Sequence, residues 1–229
     1  MDTIKKQRAE KAYFILSAIF LSALITSNLI FQKFFQWSPF GIYTFELSVG
    51  IIPYPITFII TDVISEIYGR KRANQLVYVG FIASAFTLLI VVIANAATAT
   101  SWSPISNDIF THVFGFTFIA VGASMAAYLT AQLIDVQLFH FWKKLTKGKH
   151  LWLRNNASTF SSQLVDTLII LLILCSFHVI PWDKFYILLI NGFLFKILVA
   201  AADTPLVYAA VWVFRNQFNL KDRNTNLDF

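Results

Sequence analysis

Apolar residues run through this chain in long blocks, separated by short polar or charged interruptions. An α-helix needs roughly 20 such residues to cross a hydrocarbon core about 30 Å thick. The blocks predict helices over about 12–35, 48–68, 75–97, 113–141, 156–178 and 185–213. The reading is an all-α integral membrane protein: a bundle of six transmembrane helices forming a single domain over residues 1–229. Lys5, Lys6, Arg8 and Lys11 ahead of the first block imitate the start of a signal peptide. The apolar run from Ala12 to Ile30 exceeds the roughly 7–15 residues of a signal core, and no small-x-small cleavage site follows it. It predicts a first transmembrane helix.

The interruptions carry their own signals. Residues 36–50 (QWSPFGIYTFELSVG) are aromatic, hold a Pro-Phe-Gly turn and partly alternate, which predicts a small hairpin or cap at the membrane surface. Pro53 and Pro55 predict a second helix kinked or broken in its first turns. Backbone groups freed at that depth need protein or cavity partners, so the prolines point to a lined cavity. Gly69 followed by Arg70, Lys71 and Arg72 closes that helix, and 98–111 reads as a polar loop without Lys or Arg.

Composition agrees. Of the 229 residues, 57% are hydrophobic and 13% charged, about half the charged share of a soluble domain. The net charge of +6 would suggest nucleic acid if it were clustered on one domain face, but its placement argues for a lipid bilayer and against that partner. Four Lys and Arg precede the first helix, three follow the second, five follow the fourth and three lie in the tail. Lys33, Lys184 and Lys196 are the remainder. The positive-inside rule then puts both termini in the cytoplasm.

Ionisable groups within apolar helices are costly and usually functional. Two short pieces nearly repeat: Gln132-Leu133-Ile134-Asp135 and Gln163-Leu164-Val165-Asp166. The i, i+3 spacing puts amide and carboxylate on one helix face, so two neighbouring antiparallel helices would enclose a polar pocket. Asp62 and Glu66 share a face of the second helix, Glu66 near enough to Arg70 to be a solvated helix end instead. Asp62, Asp135 and Asp166 fall in the cytoplasmic half to middle of the bilayer, where they can meet. The sixth helix supplies Asn191, Lys196 and Asp203. Lys196 is a natural partner for Asp166 or Asp135, either as a packing ion pair or in a substrate role. Asn155, Asn156, Ser158 and Thr159 open the fifth helix; capping accounts for one Asn and leaves Asn156 a candidate ligand contact. Phe58, one turn before Asp62, is a candidate to stack on a flat ligand.

Other chemistries find no support. Cys175 is alone, and His112, His140, His150 and His178 lie at helix ends and loops without ligand-spaced companions, so neither a metal nor a cofactor is expected. There is no Walker A motif, Gly-x-Ser-x-Gly or His-Glu-x-x-His, which argues against ATP hydrolysis by this chain and against an intramembrane enzyme.

Several segments in order resemble the bacterial queuosine precursor transporter family of the vitamin uptake transporter group. They are Pro53–Gly69 (PYPITFIITDVISEIYG), Gln132–Val136, Trp152–Thr167, Phe195-Lys196 and Asp203-Thr204-Pro205. The resemblance covers most of the chain. It implies import of 7-deazaguanine precursors, preQ0 (cyano) or preQ1 (aminomethyl), for tRNA modification. It also implies substrate contacts from Asp62, Gln132, Asp135, Gln163, Asp166 and Lys196, with Glu66 held more loosely. A substrate-binding subunit docked on a separate ATP-driven module is the alternative, and a homodimer stays open.

Overall fold

The computed structural model describes residues 3–145, 151–218 and 227. It divides into two compact units: Met1–Lys33 with Val49–Ile90 and Val199–Phe229, and Phe34–Ser48 with Val91–Leu198.

The first unit begins with α1 (Thr3–Ile30). It starts well before the apolar block because Lys, Arg, Gln and Glu are themselves good helix formers. It also stops earlier than predicted, at Ile30. Next comes a 3-10 turn, Val49–Ile51. Here Ser27 Oγ donates to the Gly50 carbonyl, and a Cβ on Gly50 would stand 2.7 Å from the Ser27 carbonyl oxygen. Only glycine lets the turn lie this close to α1. The following helix, α2 (Tyr54–Ala96), runs through the position where a loop was expected. Its single break is Gly69, at φ 80° and ψ 167°, a conformation essentially reserved for glycine. The two predicted helices are therefore joined end to end, giving apolar spans Val49–Gly69 and Lys71–Ala96. Pro53 and Pro55 stand at the start of α2, where a missing N–H costs no helical hydrogen bond.

The core of this unit takes Ala9 and Phe20 from α1 and Ile60, Val63, Ile64 and Ile67 from α2. The i, i+3, i+4 and i+7 spacing makes one buried stripe. Tyr68 Oη donates to the Ala9 carbonyl at 2.8 Å, and Leu227 N–H donates to the Ile67 carbonyl at 2.9 Å. Farther along α2, Tyr78, Ile82, Phe86 and Leu89 are exposed on one flank, the surface that a lipid solvent would cover.

The second unit opens with the hairpin that residues 36–50 suggested. Strands β1 (Phe34–Trp37) and β2 (Phe45–Ser48) pair antiparallel, Phe34 opposite Ser48 and Trp37 opposite Phe45. Ser38 Oγ and Thr44 Oγ1 lie 2.8 Å apart across its neck. The predicted 98–111 loop ends in a short helix, α3 (Asn107–Phe114), capped by Ser106, whose side chain accepts from Ile109 N–H. Gly115 separates it from α4 (Thr117–Leu145), and residues Asn107–Ala131 form an apolar span. Helix α5 (Leu151–Ser176) packs along α4, bringing together the two helices that carry the Gln-x-x-Asp repeat. A 3-10 turn, Trp182–Lys184, leads into α6 (Phe185–Gln217), which lies in this unit as far as Leu198. The described residues hold five helices long and apolar enough to cross a membrane, with Phe160–Ser176 as a shorter apolar helix.

Candidate functional site

The second unit buries a set of polar side chains along the seam between α5 and α6. Helix α5 contributes Ser162, Gln163, Asp166 and Thr167, all buried. Gln163 and Asp166 share a face at i, i+3, and Thr167 Oγ1 donates to the Gln163 carbonyl at 2.8 Å. From α6, Lys196 Nζ donates to Asp166 Oδ2 at 2.6 Å, the two side chains only 9% and 5% exposed. Of the two partners that the sequence allowed Lys196, the structure shows Asp166, while the side chain of Asp135 lies outside the described residues. Gly192, one turn before Lys196 on the same face, explains the close approach: a Cβ there would sit 3.3 Å from Thr167 Cγ2.

Asn191 lies beside Gly192 and is fully buried. Its Oδ1 accepts from Tyr43 Oη of the hairpin at 2.7 Å. Two further contacts fix the hairpin on the same flank of α6. Trp37 and Phe195 meet edge to face at 5.7 Å, and Lys184 Nζ lies 4.0 Å from Glu46 Oε2. Residues 191 and 195 lie one turn apart on α6 and Lys184 stands in the turn just before it, so the hairpin follows the start of that helix rather than touching it at a point.

The remaining predicted residues fall in several places. The side chains of Gln132, Asp135 and Asn156 lie outside the described residues. Asp62 is in the first unit and exposed. Phe58 meets Tyr54 edge to face at 4.6 Å, so its ring already has a protein partner. Glu66 Oε1 accepts from Arg215 Nη2 at 2.9 Å, a partner 149 residues away, while the side chain of Arg70 lies outside the described residues. Asp203 Oδ2 is buried, with no hydrogen-bond partner among the described residues.

Tyr43 escaped the sequence reading. It sits in an aromatic surface segment, and only the folding of the hairpin onto α6 brings it to Asn191. The signal that existed was the coincidence of a hairpin with a polar residue in a later apolar helix.

A carboxylate and an ammonium that leave water together lose several kcal/mol of hydration each. Their direct bond offsets that loss only with good geometry, and a short charge-assisted contact provides it. The pair therefore sets a carboxylate and an ammonium against each other in an apolar setting, with a buried amide at Gln163 one turn away. Such a carboxylate accepts N–H donors from a polar molecule in a place where water does not compete.

Comparison with known proteins follows the same direction. Residues 48–210 match the protein family described as "Putative vitamin uptake transporter". The chain is 30% identical over 164 residues, 71% of either chain, to the probable queuosine precursor transporter of Bacillus subtilis. It is 27% identical over 168 residues to the queuosine precursor transporter of Escherichia coli, covering 73% of this chain and 71% of that one. No solved structure matches the chain. With its apolar spans, it is a multi-pass protein of the bacterial cell membrane. The chain belongs to the family of putative vitamin uptake transporters.

Proposed function

We propose that this protein carries queuosine precursors, 7-deazaguanines such as preQ0 or preQ1, into the cytoplasm, with Asp166 and Lys196 at the binding site. The observation that carries the reading is the buried Asp166–Lys196 pair in an apolar helix seam. The names of the two relatives support the substrate class. Topology follows the charge distribution: α5 adds a sixth span to the five apolar ones, and the basic ends face the cytoplasm.

The chemistry is complementary. A guanine-like edge presents N1–H and an exocyclic amine side by side, and one carboxylate accepts both. Lys196 Nζ donates to Asp166 Oδ2. As substrate enters, the two N–H groups replace the ammonium on the carboxylate, and Lys196 turns its donors to the neighbouring O6. Charge is conserved, and no buried group loses its partner. Gln163, one turn away on α5, offers a donor and an acceptor to the rest of the ring.

Purified protein in proteoliposomes tests this directly. The expected result is uptake of labelled preQ0 or preQ1 by this chain alone, lost in folded Asp166→Asn. Uptake by that variant at the wild-type rate would overturn the site assignment. Failure of any deazaguanine to bind folded wild-type protein would overturn the substrate class.

A further inference from the structure

The Asn191 amide is half satisfied. Its Oδ1 accepts from Tyr43 at 2.7 Å, whereas its Nδ2 is buried and has no partner among the described residues. The whole side chain is 0% exposed. A buried N–H donor left without an acceptor costs the full desolvation of that group, so native proteins rarely keep one without use. Asn191 also neighbours Gly192, where α6 comes closest to Thr167, and Thr167 follows Asp166 in sequence. The unsatisfied donor thus belongs to the residue next to the glycine that packs on Thr167, itself next to Asp166 in sequence.

We infer that Asn191 is a specificity-determining residue that donates from Nδ2 to the ring oxo group of the substrate, and that Tyr43 sets the amide in the donating orientation. This deepens the proposed function and rests on it. An asparagine amide can turn about its last bond, exchanging donor for acceptor. The Tyr43 hydroxyl removes that freedom, because donation to Oδ1 leaves Nδ2 as the only end available to a ligand. The hairpin supplies this hydroxyl. Tyr43 is itself braced by Phe45, ring centroids 4.8 Å apart, and the Trp37–Phe195 contact holds the strand pair one turn farther along α6. Neither support depends on the hydrogen bond. Opening the hairpin would withdraw the hydroxyl and free the amide to turn, so recognition of the oxo group belongs to the closed hairpin.

The 6-thioxo analogue of the deazaguanine keeps N1–H and the exocyclic amine but replaces the oxygen with a weaker acceptor. Binding of both ligands is measured on purified full-length protein. The wild type is expected to prefer the oxo form by about 10-fold, the scale on which a site built to pair a polar group rejects a poorer partner. In Asn191→Leu, similar in shape but without the amide, the preference falls to about 2-fold, the part that the Lys196 donor to the same oxygen retains. Tyr43→Phe keeps the ring against Phe45 and removes the hydroxyl; its preference falls to about 3-fold, because the amide then samples both orientations. A purely structural Asn191 would weaken both ligands equally and leave the ratio intact. That result in Asn191→Leu overturns the inference, as does an unchanged ratio in Tyr43→Phe should the leucine variant fail to fold. A wild type that binds oxo and thioxo ligands equally overturns the inference alone. A wild type that binds neither overturns the proposed function and this inference with it.

Discussion

Two ion pairs in this protein use the same charges in opposite surroundings. Asp166 and Lys196, in the α5–α6 seam, are 5% and 9% exposed and lie 2.6 Å apart. Glu66 and Arg215, in the other unit, are 46% and 14% exposed and lie 2.9 Å apart. Distance alone would rank them as near equals. Burial separates them, because a pair in water is attenuated by the solvent and gives typically 0–1 kcal/mol. A buried pair has surrendered its hydration, and breaking it leaves a charge with nowhere to go. The exposed pair fastens the end of α6 to α2. The buried one is a standing electrostatic cost, and on the function proposed above a polar substrate would offset it by taking over one of the partners.

The largest effects should follow from splitting the buried pair. Asp166→Leu or Lys196→Met alone breaks the buried pair and should lower stability by about 3–5 kcal/mol, read by denaturant unfolding of the purified protein. Joining the two substitutions should restore most of that loss, since two apolar side chains can fill the seam. Uptake should stay absent in all three variants. A stable double variant that still imports deazaguanine would show that the pair is packing alone, and the contrast between the two units would lose its functional meaning.

Much of the α5–α6 seam was legible in the sequence, for the same reason that it is expensive. Asp166, Gln163 and Lys196 stand out because polar groups in apolar helices are few. That Asp166 meets Lys196 was only half legible, since the contact depends on helix rotation and on the close approach at Gly192. Helix limits were less readable. The polar run 98–111 looked like a loop throughout, although Ser106-Asn107-Asp108 is a helix-start signal that leads into α3. At Gly69 a stop signal and three cations suggested a loop, but a single glycine turns the backbone and the helix resumes at once. For Glu66 the sequence offered a shared face with Asp62 or a solvated end beside Arg70, but not Arg215, 149 residues away. Long-range partners such as Tyr43 and Asn191 are set by packing between elements, which periodicity does not encode.

An intermediate effect belongs to that glycine. Gly69 sits three residues past Glu66 at φ 80° and ψ 167°, where a side chain meets steric strain of about 1–3 kcal/mol. Gly69→Ala should therefore destabilise the protein by roughly 2 kcal/mol, more than removing the charge on Glu66, although it touches no ion pair. Thermal unfolding of the two variants side by side decides the order. If Glu66→Gln were the more damaging, the exposed pair would hold the α2 break in place, and the view of it as a weak fastening would fail.

The smallest effect tests the other half of the contrast. Glu66→Gln and Arg215→Gln should each cost about 0.5 kcal/mol, with a coupling of the same size in the double variant. Raising the ionic strength should shrink the difference further, because a half-exposed pair is open to counterions while the α5–α6 pair is not. Transport by both variants should stay within about two-fold of wild type, since a weak exposed contact changes neither binding nor the seam. A different outcome would be informative. Should Glu66→Gln remain folded and inserted yet lose uptake, Glu66 would be acting on the substrate or on the transport cycle. The charge on α2 would then carry a cost that its exposure conceals, and burial would no longer be a sufficient guide to which ion pair does the transporting.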